Sequence, residues 1–165
     1  DTEAEAARQF FTLLSNVHEQ NAVQFTWVDG YSQDVDSPDF GMSIVNSAHF
    51  IAYFHPNASD PERRSELTYA VFNSHAILDA LREKDRFDRL RTKIRGNQLD
   101  NPNRGKINPL LADHGIGPEL VQYVLPDGDD AVAAVKAVQE EVLGKCPFGH
   151  GVELEGGGVK DEPTL

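Results

Sequence analysis

The fold of this chain is decided by residues 42–54, which read MSIVNSAHFIAYF. Apolar side chains stand at the even positions 42, 44, 48, 50, 52 and 54, and polar side chains stand at 43, 47 and 49. This period of two indicates a strand with one buried face, because successive side chains of a strand point to opposite sides. We therefore expect one long strand here, bent along its length, although a helix over part of the segment stays open.

A second strand is predicted immediately upstream. Val23, Phe25 and Trp27 alternate with polar residues, and Asp29-Gly30 follows them. This dipeptide favours a two-residue hairpin turn whose central residues both have positive φ, so the strand after it should pair back. The sequence thus predicts an α+β fold with a small antiparallel sheet over about residues 22–55.

Helical patterns account for most of the remaining chain. The predicted helices are residues 3–19, a short one near 108–113, one that starts at Pro118, and one from an N-cap at Asp129 to Gly144. With the helical stretch described next, four or five helices would pack on the sheet. Residues 1–144 would form a single α+β domain, and residues 145–165 a flexible Gly-rich tail.

Residues 62–95 have the pattern of one long helix, but their apolar faces disagree. At about 100° per residue, two groups of apolar side chains fall on roughly opposite sides. The groups are Leu67, Val71, Leu78 and Leu81, and then Phe87, Leu90 and Ile94. An unbroken helix would need two cores, so we predict a break near Glu83 to Asp85.

Composition and charge set limits on the class of protein. A hydrophobic fraction of 39% with 25% charged residues is typical of a globular domain. No apolar run approaches the roughly 20 residues of a membrane helix, which predicts a soluble protein. Cys146 is the one cysteine, so a reducing, cytoplasmic location is the simpler expectation. The chain begins at Asp1 without Met, which leaves a processed N-terminus or a fragment open.

Residues 82–106 hold nine of the fifteen Lys and Arg residues, against four acids, in a chain of net charge −12. On the helix after the break, Arg86, Arg89 and Lys93 align, with Arg82 nearby; we name these four residues the basic stripe. A positive surface on an acidic protein can orient an acidic partner. The leading hypothesis is therefore an accessory or regulatory protein that docks an acidic partner protein, or phosphate groups, on the basic stripe.

Residues 110–121, which read LLADHGIGPELV, resemble the helix-hairpin-helix motif. Proteins of that family bind nucleic-acid phosphates nonspecifically through the backbone of a Gly-hydrophobic-Gly turn. The resemblance implies phosphate contacts at Gly115 and Gly117, and makes nucleic acid a candidate partner. In the alternative interpretation, the two glycines only permit a tight turn and the basic stripe is a solvated face.

Residues 145–150, which read KCPFGH, resemble the short Cys-Pro haem-regulatory motif. In that motif a flexible cysteine supplies a thiolate ligand to ferric haem, often with a histidine nearby. The resemblance implies Cys146 as a ligand, with His150 beside it, and haem as a possible cofactor. An exposed tail cysteine without a ligand is the alternative.

An enzyme with a pocket built from scattered residues is the third hypothesis. His49, Tyr53 and His75 are its candidate residues, and an acid converging on one of them would be the useful sign. No metal site is expected. On one strand, His49 and His55 would lie roughly 20 Å apart at about 3.3 Å per residue, and the acids at 34, 36 and 39 do not fit a calcium-binding loop.

Overall fold

The computed structural model describes residues 2–84, 86–100, 102, 105–113, 115–144 and 148. In these residues it shows five helices and three strands. In chain order they are α1 (Glu3–Ala22), β1 (Met42–Ile44), β2 (Ser47–Phe54), β3 (Tyr69–Ser74), α2 (His75–Glu83), α3 (Phe87–Asp100), α4 (Glu119–Val124) and α5 (Asp129–Leu143). The predicted α+β class is confirmed. None of these helices is both long and apolar enough to cross a membrane.

The three strands form one antiparallel sheet in the order β1-β2-β3. The long strand predicted over residues 42–54 is wrong, because the chain reverses at Val45 and Asn46, with φ of 48° and 59°. The reversal pairs Ile44 with Ser47 and Met42 with His49. Asn tolerates this left-handed region, whereas a β-branched residue rarely enters it. The alternation of apolar and polar residues continues on both sides of the turn. Valine is typical of strands, so Val45 gave no sign of a turn in the sequence.

The predicted sheet boundaries, residues 22–55, are also wrong. No strand occurs between residues 23 and 41, where the pairing is a single bridge between Ser32 and Phe40. Asp29-Gly30 does form a turn, closed by the Tyr31 N–H donating to the Val28 carbonyl at 3.4 Å. The third strand is instead residues 69–74, which we assigned to a helix. Their aromatic and β-branched side chains suit a strand paired with β2.

Helices cover both faces of the sheet. On one side, Phe10 of α1 stacks on Tyr53 of β2 with 4.4 Å between ring centroids, and α5 packs along α1. On the other side, Phe50 of β2 meets Tyr123 of α4 edge-on at 5.2 Å. Both faces of β2 are therefore buried, which explains why its odd and even positions are apolar.

The break predicted near Glu83 to Asp85 is confirmed, since α2 ends at Glu83 and α3 begins at Phe87. The short helix predicted at 108–113 is wrong. There the Asn108 carboxamide oxygen accepts from the Leu110 N–H at 2.9 Å, a local bond that favours a turn over a helix. Helix α5 ends before Gly144, as predicted, because Gly144 adopts a φ of 60°.

Most of the predicted tail lies outside the described residues. Phe148 is described, and its side chain is 1% exposed in the core. It packs on Trp27, with 5.5 Å between ring centroids, and edge-on against His18 at 5.0 Å. At least this residue beyond Gly144 therefore belongs to the packed domain.

Candidate functional site

A pocket of about 180 Å³ lies between α2, α3, α4 and the segment 111–113. Most of its wall is apolar. The apolar residues that line it are Phe50, Leu78, Phe87, Leu90, Ile94, Leu111 and Ala112. A partly open apolar pocket with a few polar groups is the usual form of a small-molecule site.

Apolar side chains from both sides of the predicted break meet at this pocket, to which α2 contributes Leu78. Phe87, Leu90 and Ile94 all lie on α3 and line the pocket rather than the main core. Leu90 remains 39% exposed and Ile94 46% exposed. The apolar face of α3 is thus only partly covered by the described residues.

Three arginines also line the pocket, and each contacts an aspartate. Arg82 pairs with Asp79, one turn before it on α2, and its guanidinium lies 4.4 Å from the centroid of the Phe87 ring. Arg91 and Arg95 of α3 both donate to the Asp113 carboxylate, Arg95 at 3.3 Å. The pocket wall therefore combines apolar surface with arginines held by aspartates.

A buried hydrogen-bond network forms the inner wall. His75 Nε2 lies 3.0 Å from Glu119 Oε1, and the side chains of both residues are 2% exposed. The Tyr123 hydroxyl lies 3.1 Å from the same carboxylate oxygen and 2.7 Å from the His49 carbonyl. Burial, followed by the Glu119 charge, raises the pKa of Tyr123 well above its usual range. The phenol therefore stays neutral and holds α4 to the sheet.

Tyr31 covers His75 from the loop before β1. Their ring centroids are 4.9 Å apart, and the Tyr31 hydroxyl donates to Asp79 Oδ2 at 3.4 Å. Partial burial and the Asp79 charge both raise the pKa of Tyr31. A neutral phenol thus packs on an imidazole that is bonded to a carboxylate, and His75 and Glu119 line the pocket. An imidazole bonded to a carboxylate can accept and return a proton.

The structure divides the predicted basic stripe. Arg82 lines the pocket, whereas Arg86, Arg89 and Lys93 are exposed beside it. Within the described part of the chain, Arg89 and Lys93 have no ion pair. The pocket arginines Arg91 and Arg95 were missed, because the stripe was chosen by alignment on one helix face.

The turn at residues 115–117 is hydrogen-bonded to the loop before β1. Gly115 has a φ of 82°, and its N–H donates to the Pro38 carbonyl at 2.9 Å. At Gly117, a Cβ would lie 2.9 Å from the Ala112 Cβ, so the close approach requires glycine. Phosphate binding by Gly115 and Gly117 stays a prediction, and any such ligand would compete with Pro38 for the Gly115 N–H.

Of the three candidate pocket residues, His75 alone lines the pocket. Tyr53 lies on the opposite face of the sheet against Phe10, and His49 contributes its backbone carbonyl to Tyr123. The acid that meets His75 is Glu119, which sequence reasoning did not select. A signal for it existed, since Glu119 stands directly before the apolar pair Leu120-Val121.

Cys146 and His150 lie outside the described residues, so the structure gives no geometry for the predicted haem ligands. Among the residues that are described, no three His, Cys, Asp or Glu side chains are grouped in a way that could hold a metal ion.

A comparison with protein families matches residues 1–148 to the model described as the YqcI/YcgG family. No curated protein and no solved structure matches the chain. The matched span includes every residue that lines the pocket.

Proposed function

The chain belongs to the YqcI/YcgG family, and we propose that it is a binding protein whose pocket takes a small molecule with a mainly apolar body. The observation that carries this proposal is the apolar face of α3, which lines the pocket and remains partly exposed at Leu90 and Ile94. Covering such surface with a ligand is favourable, because it removes apolar area from water.

The volume of the pocket limits the size of the ligand. A protein cavity of about 150 Å³ binds benzene. A pocket of about 180 Å³ that is open on one side therefore suits one ring, or a short branched chain, with a substituent that reaches the rim. His75 and Glu119 line the same pocket, so they could exchange a proton with a bound molecule that reacts. The enzyme hypothesis therefore places its catalytic residues at this site too.

Titration calorimetry with 3-phenyl-1-propanol and 3-phenylpropionate tests the proposal, because both carry one ring on a short chain. We expect at least one of them to bind the wild type with a Kd of about 1 mM or tighter. Leu90→Trp should weaken that binding at least about tenfold, because the larger side chain fills the pocket.

Leu99→Trp is the matched control, since Leu99 lies on the same helix, is 51% exposed and does not line the pocket. It should leave the affinity unchanged. The absence of binding by the wild type, or equal losses in both tryptophan variants, would refute a ligand site beside α3.

A second candidate is the docking of an acidic partner protein on the exposed part of the basic stripe. It is favoured by the exposure of Arg89 and Lys93, which have no ion pair in the part of the chain that the structure describes. In this hypothesis the protein is a cytoplasmic regulatory factor, and nucleic-acid phosphates are alternative occupants.

Binding to poly-glutamate and to inorganic polyphosphate tests that candidate. Replacing Arg86, Arg89 and Lys93 by Glu should weaken binding and reduce its dependence on salt. Lys136→Glu on α5 is the control, because Lys136 is also exposed but lies on another helix. Unchanged binding by the triple variant would exclude docking at this surface.

Haem binding is a third candidate, which rests on the resemblance of residues 145–150 to the haem-regulatory motif. Phe148, within the motif that resembles the haem-regulatory sequence, is buried against His18 and Trp27. The motif is therefore not entirely solvated. Ferric haem added to wild type and to Cys146→Ala should give different Soret spectra if the thiolate binds iron. Identical spectra would remove the hypothesis.

A further inference from the structure

In the part of the chain that the structure describes, Asp113 is the acidic side chain that Arg91 and Arg95 share at the pocket. Arg91 donates to Asp113 Oδ2, and Arg95 donates to Asp113 Oδ1 at 3.3 Å. All three side chains are partly buried, at 34%, 32% and 26% exposed for Arg91, Arg95 and Asp113. One carboxylate therefore faces two guanidinium groups on the wall of a pocket that is otherwise mainly apolar.

The two arginines differ in how many acidic partners they have. Arg91 has a second acid, Asp88, at 2.7 Å, but Asp88 is 76% exposed and does not line the pocket. Among the described residues, Arg95 has one acidic partner, Asp113, at a distance near the upper limit for a hydrogen bond. A guanidinium carries five N–H donors, so most of the Arg95 donors have no protein acceptor among the described residues. These Arg95 donors can therefore take a further hydrogen-bond acceptor.

The geometry of Asp113 also shows what that acceptor would be. A carboxylate is planar and accepts from arginine through both oxygens, which is the arrangement that Asp113 already makes with two arginines. The backbone around Asp113 is held separately, by the Ile116 N–H donating to the Asp113 carbonyl at 3.1 Å and by Gly115 bonding to Pro38. The side chain can therefore rotate away while the loop keeps its path.

We infer that the ligand of this pocket is a carboxylate with an apolar body, and that its carboxylate replaces the Asp113 side chain on Arg91 and Arg95. Asp113 is then a built-in competitor that keeps the arginines in place while the pocket is empty. This inference rests on the proposed function, to which it adds the chemical class of the ligand.

Three variants and the two probes named above test the inference. For 3-phenylpropionate, Asp113→Asn should tighten binding about tenfold and Arg95→Gln should weaken it about tenfold, the size expected for one charge-assisted hydrogen bond. For 3-phenyl-1-propanol, which has the same body without the charge, both variants should stay within about twofold of the wild type. The control is Asp100→Asn, which removes one negative charge from α3 at an exposed residue that does not line the pocket.

The outcomes separate the two proposals. If the alcohol binds as tightly as the carboxylate, and Asp113→Asn changes the affinity for neither probe, the pocket is still a ligand site but its preference for a carboxylate is refuted. Equal tightening by Asp113→Asn and Asp100→Asn would also refute competition by Asp113, because it would be a general charge effect. If neither probe binds the folded wild type, both the function and this inference fail.

Discussion

Glu119 is a carboxylate in a helix whose six residues are all buried, and its partners account for its position. His75 and Tyr123 both lie within hydrogen-bond distance of the same carboxylate oxygen. A buried carboxylate without such partners would cost several kcal/mol. The bonds therefore fix the inner wall of the pocket before any ligand arrives, which lowers the entropy cost of binding.

His18 and His55 make stability depend on pH. Burial lowers the pKa of each, and the charges of Glu19 and Glu3, respectively, oppose this only in part. An unfolded histidine takes a proton near its ordinary pKa of 6.5, whereas these folded histidines do so only at lower pH. We expect the free energy of unfolding to fall as pH drops below about 6.5.

Urea unfolding between pH 7.5 and 5 measures this loss. His55→Phe, which keeps a ring against Tyr53, should lose less stability over the window than the wild type. If both proteins show the same change between pH 6.5 and 5, buried His55 is not a source of the pH dependence.

The turn between β1 and β2, at Val45 and Asn46, was not predicted from the sequence. Val45 adopts a φ of 48° while its side chain is 59% exposed. Little apolar surface is therefore buried there to compensate for the strained backbone. Its N–H donates to Asn21 Oδ1 at 2.8 Å, a backbone bond that any residue except proline retains. Val45→Asn should raise the free energy of unfolding by about 1 kcal/mol, because Asn enters the left-handed region more easily.

Denaturant unfolding measures the gain at Val45. Val23→Asn serves as the comparison, since Val23 is 70% exposed but has an ordinary φ of −65°. A gain of the same size in both variants would show that replacing an exposed valine by a polar side chain causes the effect, and not relief of backbone strain.

The helices were more predictable than the sheet, for a physical reason. The break before α3 follows from the directions of Leu81 and Phe87, which depend only on helix geometry over nearby residues. The strand at 69–74 depends instead on pairing with β2, some twenty residues away. That pairing outweighs the helical pattern of residues 69–74, and it cannot be read from the local spacing of apolar residues.

The candidate site was predictable only in part. The stretch from Arg82 to Ile94 carried both an unmatched apolar face and positive charge; the apolar face lines the pocket, but of the basic stripe only Arg82 does. His75 was selected, but its partner Glu119 is 44 residues away. Asp113 was not selected as a site residue from the sequence. Contacts across such distances arise from tertiary packing, which spacing along the chain does not reveal.

At the scale of the whole molecule, the packed domain extends beyond Gly144. Phe148 is 1% exposed among Trp27, Phe40 and His18. Phe148→Ala should therefore lower the free energy of unfolding by about 3 to 5 kcal/mol, the usual cost of deleting a buried aromatic ring. Phe72→Ala, at a position 50% exposed, should cost much less. Urea denaturation compares the two, and equal losses would contradict a core role for Phe148.

The central claim is that a small carboxylate binds in the pocket beside α3. Titrating ¹⁵N-labelled protein with 3-phenylpropionate, followed by amide chemical shifts, tests it most directly. We predict shifts that saturate together in α2, α3, residues 111–113 and α4, and that are lost in Leu90→Trp but kept in Leu99→Trp. The absence of saturable shifts, or shifts confined to α1 and α5, would contradict the account.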